Sequence, residues 1–411
     1  MERLLIKNIG LLQTPVGSYA HKGKEQGENR KLKDAVIISE DGIITKICEA
    51  KDFKEKEDSF DFVIDVEGNL VTPGLVDAHT HLVFGGFRQH EIPLKLKGAD
   101  YLEILRQGGG ILDTVRKTRE ATFEELYDKS EGFLDEMMAL GVTTVEAKSG
   151  YGLDRDTEIK TLEVIKALSE SHPMTIVSSY MGAHAIPIEY KGKADLYIDE
   201  LCKSVLEEVK EKNLASFVDV FCEDSVFNVE QAERYLRMAK DMGFDLRIHA
   251  DEIEEIGGSI LAGRMKAKTA EHLIAIGDKG IEALKDGGVT AMLLPSTSFY
   301  LNKSFAPARK MIEKGVPVAI ATDFNPGSSP SLNLQLSINL GYLRYRMTPE
   351  EILTAVTINP ASALNLGDKI GSLEVGKDLD LAIWNAQDME MLCYRFGSNL
   401  CIGTVKKGRL V

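Results

Sequence analysis

Eight short runs of aliphatic and β-branched residues recur through the middle of this chain, most of them followed by a polar stretch with helical spacing. They read "GLVDAHTHLVF", "VTTVEAKSG", "TIVSSYMGAHA", "FVDVFCEDS", "FDLRIHADE", "TAEHL", "VTAMLLPST" and "VPVAIATDFNPG". The stretches "TFEELYDKSEGFLDEMMAL" and "VEQAERYLRMAKDMG" are typical of what separates them. Parallel strands need crossovers of a dozen residues or more, commonly helices. Eight such β-α units therefore predict an α/β chain whose residues 71–365 form a (β/α)8 TIM-like barrel. The two ends have another texture. "RLLIKNIGLLQT", "DAVIISEDGIITKICEA" and "DFVIDVEGNLVTPG" at the start, and "GSLEVGKDLDLAIWNAQ" and "LCIGTVKKGRLV" at the end, are short strands broken by Gly, Asn and Asp turns. Neither residues 1–70 nor 366–411 can build a core alone. They are expected to pair into one small, β-sandwich-like domain, with "GKEQGENRKLKD" as a polar loop.

Composition removes several function classes. An apolar fraction of 44% with 27% charged residues is that of a globular protein. No apolar run approaches the roughly 20 residues of a membrane span. The start, "MERLLIKNIGLLQTPVG", reads as a first strand rather than a secretion signal. A net charge of -15 argues against nucleic-acid backbones and anionic membranes as partners. Five scattered cysteines without a C-x-x-C pair suit reduced thiols in a cytoplasm. A homodimer is the default expectation for such a chain.

Polar residues gather where the predicted strands end. His79 and His81 are two apart on one strand, so they project to the same side. An H-x-H pair can be a hydrogen-bonded core pair, but other strands end in kind. The third ends at His184, the fifth at His249, the sixth at His272 and the eighth at Asp323. In a β/α barrel these ends open on one face, where the chemistry of such folds takes place. Converging imidazoles with a carboxylate suit zinc or iron better than magnesium or calcium.

"TPGLVDAHTHLVF", "HADE", "EHL" and "TDFNPG" together resemble the metal-dependent amidohydrolase superfamily. "HTHLVFGGFRQHE", "GGGI", "KSGYGL", "MGAHAIP" and "TDFNPGSS" bring the resemblance closest to its imidazolonepropionase family, over nearly the whole chain. That resemblance implies one zinc or iron ion on His79, His81, His249 and Asp323. It also implies substrate contacts from Arg88, Tyr151, His184, Glu252, Asn325, Gly327 and Ser328. The implied reaction opens the cyclic amide of 4-imidazolone-5-propanoate to N-formimidoyl-L-glutamate in histidine degradation. Glu252 would shuttle the proton, Asp323 would orient the water, and His184 or His272 would polarise the carbonyl. Arg88 offers a fork for the propanoate, and the turn at Asn325, Gly327 and Ser328 offers amides and a hydroxyl for a carboxylate.

Blander roles stand beside these. Arg88 can pair with Glu91, Tyr151 can pack at the barrel mouth, and Glu252 can sit at a helix start. The glycines at 108–110 suit a close backbone approach or a flexible loop. His21 and His90 read as surface residues. One metal rather than two is expected, because the fourth strand has no lysine and Lys148 is placed after the second strand, although Glu223 could bridge. The alternative function is a one-metal deaminase of a guanine- or cytosine-like ring; a barrel without catalysis is a third reading.

Overall fold

The structure, a computed structural model, describes residues 2–98, 109–224 and 226–411. Gly108, part of the glycine triplet, lies outside them. Eight parallel strands form the central sheet in sequence order: β6 (Leu75–Thr80), β7 (Val142–Lys148), β8 (Thr175–Ala183), β9 (Phe217–Cys222), β10 (Asp245–Ala250), β11 (Thr269–His272), β12 (Thr290–Leu293) and β13 (Val318–Ile320). Each lies within one of the eight runs picked out in the sequence. The first and last strands meet at the C-terminal rim. Asp323 N donates to His79 O at 3.0 Å and His81 N to Phe324 O at 2.9 Å, with a parallel bridge between Thr80 and Phe324. These bonds bring residue 323 beside residues 79 and 81, some 240 positions earlier in the chain.

The strands are buried on both faces, β6 and β7 along their whole lengths. Their outer side packs under amphipathic helices whose starts are chemically marked. Thr122 and Glu125 form a capping box on the helix Phe123–Ala139, and Asn228 and Gln231 form another on Val229–Asp241. The barrel floor is apolar, with Val76, Ala78, Phe217, Met292, Ala319 and Ala321 in one cluster. Above it the interior turns polar, which is where the site lies.

The chain ends build a second sheet of eight strands. β1 (Arg3–Thr14), β2 (Arg30–Glu40), β3 (Ile43–Glu49), β4 (Phe62–Asp65) and β5 (Leu70–Pro73) come from the start; β14 (Leu381–Trp384), β15 (Cys401–Lys406) and β16 (Arg409–Leu410) come from the end. The order is β16-β15-β14-β5-β1-β2-β3, with β4 on β1. Alternation puts Leu4 and Ile6 in one apolar cluster and Leu5, with Val36, Ile38 and Phe60, in another. Trp384 joins the sheet to the barrel: its ring packs in the barrel's main cluster, and its Nε1 donates to Thr72 Oγ1 at 2.8 Å.

Two expectations need correction. His21 is buried, its Nε2 paired with Val16 O at 2.7 Å, because residues 16–21 fold onto the barrel near Asn359. Lys148 is the last residue of β7 rather than part of the loop after it, and it points into the interior. Among the described residues no helix is long and apolar enough to cross a membrane.

Candidate metal centre

His79, on β6, and His81, just past its end, face the barrel axis, as the two-residue spacing requires, and both are buried. Asp323 follows β13, where its φ of +54° turns the backbone out of the strand direction. Its Oδ2 accepts from Thr297 Oγ1 at 2.5 Å. Among the described residues its Oδ1 has no hydrogen-bond partner, and it stands 3.4 Å from His79 Nε2 and 3.5 Å from His81 Nε2. Asp251 and His272, also at strand ends, have φ of +50° and +67°. Such left-handed residues are uncommon outside glycine and gather where side chains must be aimed.

His249 arrives on β10. Its Nδ1 lies 3.1 Å from Asp219 Oδ1, and a carboxylate accepts there, so Nδ1 carries the hydrogen and Nε2 presents a lone pair. That Nε2 is buried without a hydrogen-bond partner among the described residues. The His249 ring centroid is 4.7 Å from that of His79 and 5.2 Å from that of His272. Donor atoms of His79, His81 and Asp323 lie within 4.8 Å of one another, as do those of His79, His249 and His272.

Such an arrangement fits a metal ion. Donors about 2.0–2.1 Å from a tetrahedral ion stand about 3.3–3.4 Å apart, close to the 3.4 and 3.5 Å separations around Asp323 Oδ1. The imidazoles are held neutral, the form that ligates. Burial pushes His79 and His81 well below the ordinary histidine value, and His249 down to about 3 despite Asp219. Burial likewise pushes the Asp323 carboxyl up to about 7. Buried neutral imidazoles facing a carboxylate oxygen are the donor set that a zinc or iron ion takes.

Around this centre stand the other candidate residues. His184 stacks on His81 at 4.7 Å, and its Nδ1 lies 3.0 Å from Gly150 O. Burial pushes it down to about 4. Tyr151 is buried beside both, its ring 5.3 Å from that of His184 and 5.7 Å from that of His81. Glu252 follows β10, with Oε2 3.6 Å from His272 Nε2. Burial, then Glu223, pushes its carboxyl up to about 7. Glu223 itself accepts from Ile253 N at 2.9 Å and Glu254 N at 3.3 Å, so it holds the loop that carries Glu252.

Arg88 does pair with Glu91, with Nε and Nη2 at 2.8 and 3.1 Å from the two carboxylate oxygens. Its Nη1 meanwhile reaches the Asn325–Ser328 turn, where a Cβ added to Gly327 would stand 2.4 Å from it. The turn departs from expectation. The amides of Gly327 and Ser328 donate to Asn325 Oδ1 at 2.8 and 2.7 Å, so they close the turn on itself. Its backbone donors are therefore engaged, and Arg88 is the cation beside it.

Sequence reasoning missed four charged residues under the centre, Glu146, Asp219, Arg247 and Glu271, which with Lys148 form one buried layer. Their signal was present as charges at alternate positions within strands, in "VEAK" and "LRIHA".

A model of the amidohydrolase family matches residues 70–411. An imidazolonepropionase of Bacillus cytotoxicus is 47% identical over 414 aligned residues, covering 98% of this chain and 96% of the relative. One of Bacillus cereus is 50% identical over 370 residues, covering 89% and 86%. This chain belongs to the imidazolonepropionase family of amidohydrolases. Solved structures share its fold at low identity. E. coli guanine deaminase superposes with a TM-score of 0.76 at 16% identity, covering 100% of this chain and 99% of its own. A zinc-bound adenosine deaminase from Xanthomonas campestris gives 0.70 at 19%, covering 99% and 92%. At that distance the deaminases speak for the barrel alone, and the imidazolonepropionase relatives carry the family.

Proposed function

We propose that this chain hydrolyses the cyclic amide of 4-imidazolone-5-propanoate to N-formimidoyl-L-glutamate, the reaction its relatives' name implies, in histidine degradation. The observation that carries the reading is the buried gathering of His79, His81 and Asp323, with His249 beside His79, at the barrel mouth, in a chain half identical to imidazolonepropionases. Those four residues would hold one zinc or iron ion. When bound, such an ion supplies acidified water and a Lewis acid for a carbonyl.

This chain's residues do the rest. Asp323 orients the attacking water through its inner oxygen. Glu252 accepts the water's proton and returns it to the departing ring nitrogen, a role suited to a carboxyl that burial brings near neutrality. The two histidines divide the work by tautomer. Gly150 O can only accept, so neutral His184 carries its hydrogen on Nδ1 and offers Nε2 as an acceptor for a substrate N–H. His272, beside Glu252, is then the donor to the carbonyl oxygen as it gains charge. Arg88 binds the propanoate through the edge facing Gly327, and Tyr151 closes the pocket over the ring. The working unit is a homodimer in the cytoplasm.

Purified protein loaded with zinc or iron should open the imidazolone, followed as loss of ring absorbance and appearance of formimidoylglutamate. No turnover by metal-replete protein, with ammonia released from guanine or cytosine instead, would replace this reading with the deaminase.

A further inference from the structure

The charged layer beneath the centre has a division of labour. Glu271 is tied three ways: Arg247 Nε at 3.2 Å, Ile248 N at 3.0 Å and the Thr269 hydroxyl. Asp219 is not. Among the described residues its carboxylate meets two groups, Lys148 Nζ at 2.8 Å on Oδ2 and His249 Nδ1 at 3.1 Å on Oδ1. Lys148 Nζ also lies 2.8 Å from Glu146 Oε1, and Glu146 is anchored in turn by Thr80 N and Arg247 Nη1, each at 3.3 Å. All are fully buried. Charges so placed are expensive to desolvate, and this arrangement spends that expense on orienting one ligand.

We propose that Lys148 is a positioning residue for the metal centre: it pins Asp219, and Asp219 holds the His249 ring with Nε2 turned toward His79, His81 and Asp323. The inference rests on the metal-site reading above. Outer partners of this kind typically change metal affinity 10- to 100-fold. Without the ammonium, Asp219 keeps a single contact and is free to turn from His249. The three carboxylates of the layer are then balanced by Arg247 alone.

The test measures Co(II) binding to metal-stripped protein by calorimetry, and the visible absorption bands of the Co(II) form, for wild type, Lys148→Met, Asp219→Asn, Asp219→Ala and Lys148→Met/Asp219→Ala. Lys148→Met should bind Co(II) 10- to 100-fold more weakly with shifted bands, and Asp219→Ala should do the same. Asp219→Asn has one acceptor oxygen for the two donors Lys148 Nζ and His249 Nδ1, so it too should bind Co(II) more weakly than wild type. The double variant should be no weaker than Asp219→Ala alone, since both residues act through one hydrogen bond. Folded Lys148→Met with wild-type affinity and spectrum overturns the proposal, as does a double variant that sums the two losses. Should Lys148→Met fail to fold, Lys148→Met/Asp219→Asn removes one charge of each sign. It should bind Co(II) more weakly than wild type with shifted bands, and wild-type affinity and spectrum overturn the proposal. Wild type that binds no Co(II) would instead sink the metal reading itself, a result distinguishable from any of these.

Discussion

At the scale of single residues, substitutions at Arg88, Gly327 and Glu252 would separate the proposed binding from the proposed chemistry. The Arg88 guanidinium is held by Glu91 and faces the turn at Gly327. Arg88→Ala should raise KM on the order of 10- to 100-fold, the loss of a charge-assisted bond worth about 1.5–3 kcal/mol, with kcat changed far less. Gly327→Ala puts a methyl 2.4 Å from Arg88 Nη1. It should reproduce the KM effect without touching a charge; an unchanged KM would mean that the guanidinium moves aside freely. Glu252→Gln should leave KM and metal content near wild type while lowering kcat about 10²- to 10⁴-fold. Steady-state kinetics with metal analysis checks all three. Glu252 and Arg88 stood out as candidates in "HADE" and "GGFRQHE"; Glu252 lies two residues past the end of β10, whereas Arg88 lies eight past β6, on the connection after it. What Arg88 does with Glu91, and the self-closed turn at Asn325, depend on rotamers that spacing does not encode.

Secondary-structure elements were the legible level. Each barrel strand announced itself as a short β-branched run between helical stretches, because a strand buried on both faces must be apolar along its length. The polar interior was harder to see, since Glu146, Lys148 and Arg247 break those runs and look like ordinary strand-edge charges until the barrel closes around them. The small sheet was legible in content but not in order. β5 takes β14 as a neighbour some 300 residues onward, and nothing local in either strand specifies that pairing. Trp384, the chain's one tryptophan, marks the seam. Its ring sits where a Cβ on Gly141, whose φ is +91°, would come within 2.8 Å. Trp384→Ala should destabilise the fold by about 3–5 kcal/mol, read from urea unfolding by circular dichroism. A loss under 1 kcal/mol would mean that the seam does not support the barrel.

For the whole molecule, the distribution of exposed apolar side chains argues for a dimer. Phe299, Tyr300 and Leu301, then Tyr342 and Leu343, then Tyr394 and Phe396 are all exposed. They lie on or just beyond three neighbouring helices, Pro295–Tyr300, Leu334–Leu343 and Met389–Tyr394. Ser296 meets Ser337 at 2.8 Å, and Asn339 Nδ2 donates to Leu392 O at 2.7 Å, so the helices are packed side by side. Large side chains of this kind cover about 150–250 Å² each. The five aromatic ones, roughly half exposed, leave on the order of 500 Å² of surface, and a standard interface takes roughly 800 Å² from each partner. On the proposed dimer, a second copy of this chain would bring the same apolar side chains to the contact. Sedimentation of wild type at micromolar concentration should therefore give a dimer. Tyr342→Lys/Tyr394→Lys should give a monomer with unchanged circular dichroism and metal content, since neither residue touches the centre. A monomeric wild type, or a variant that stays dimeric, would place the interface elsewhere or remove it.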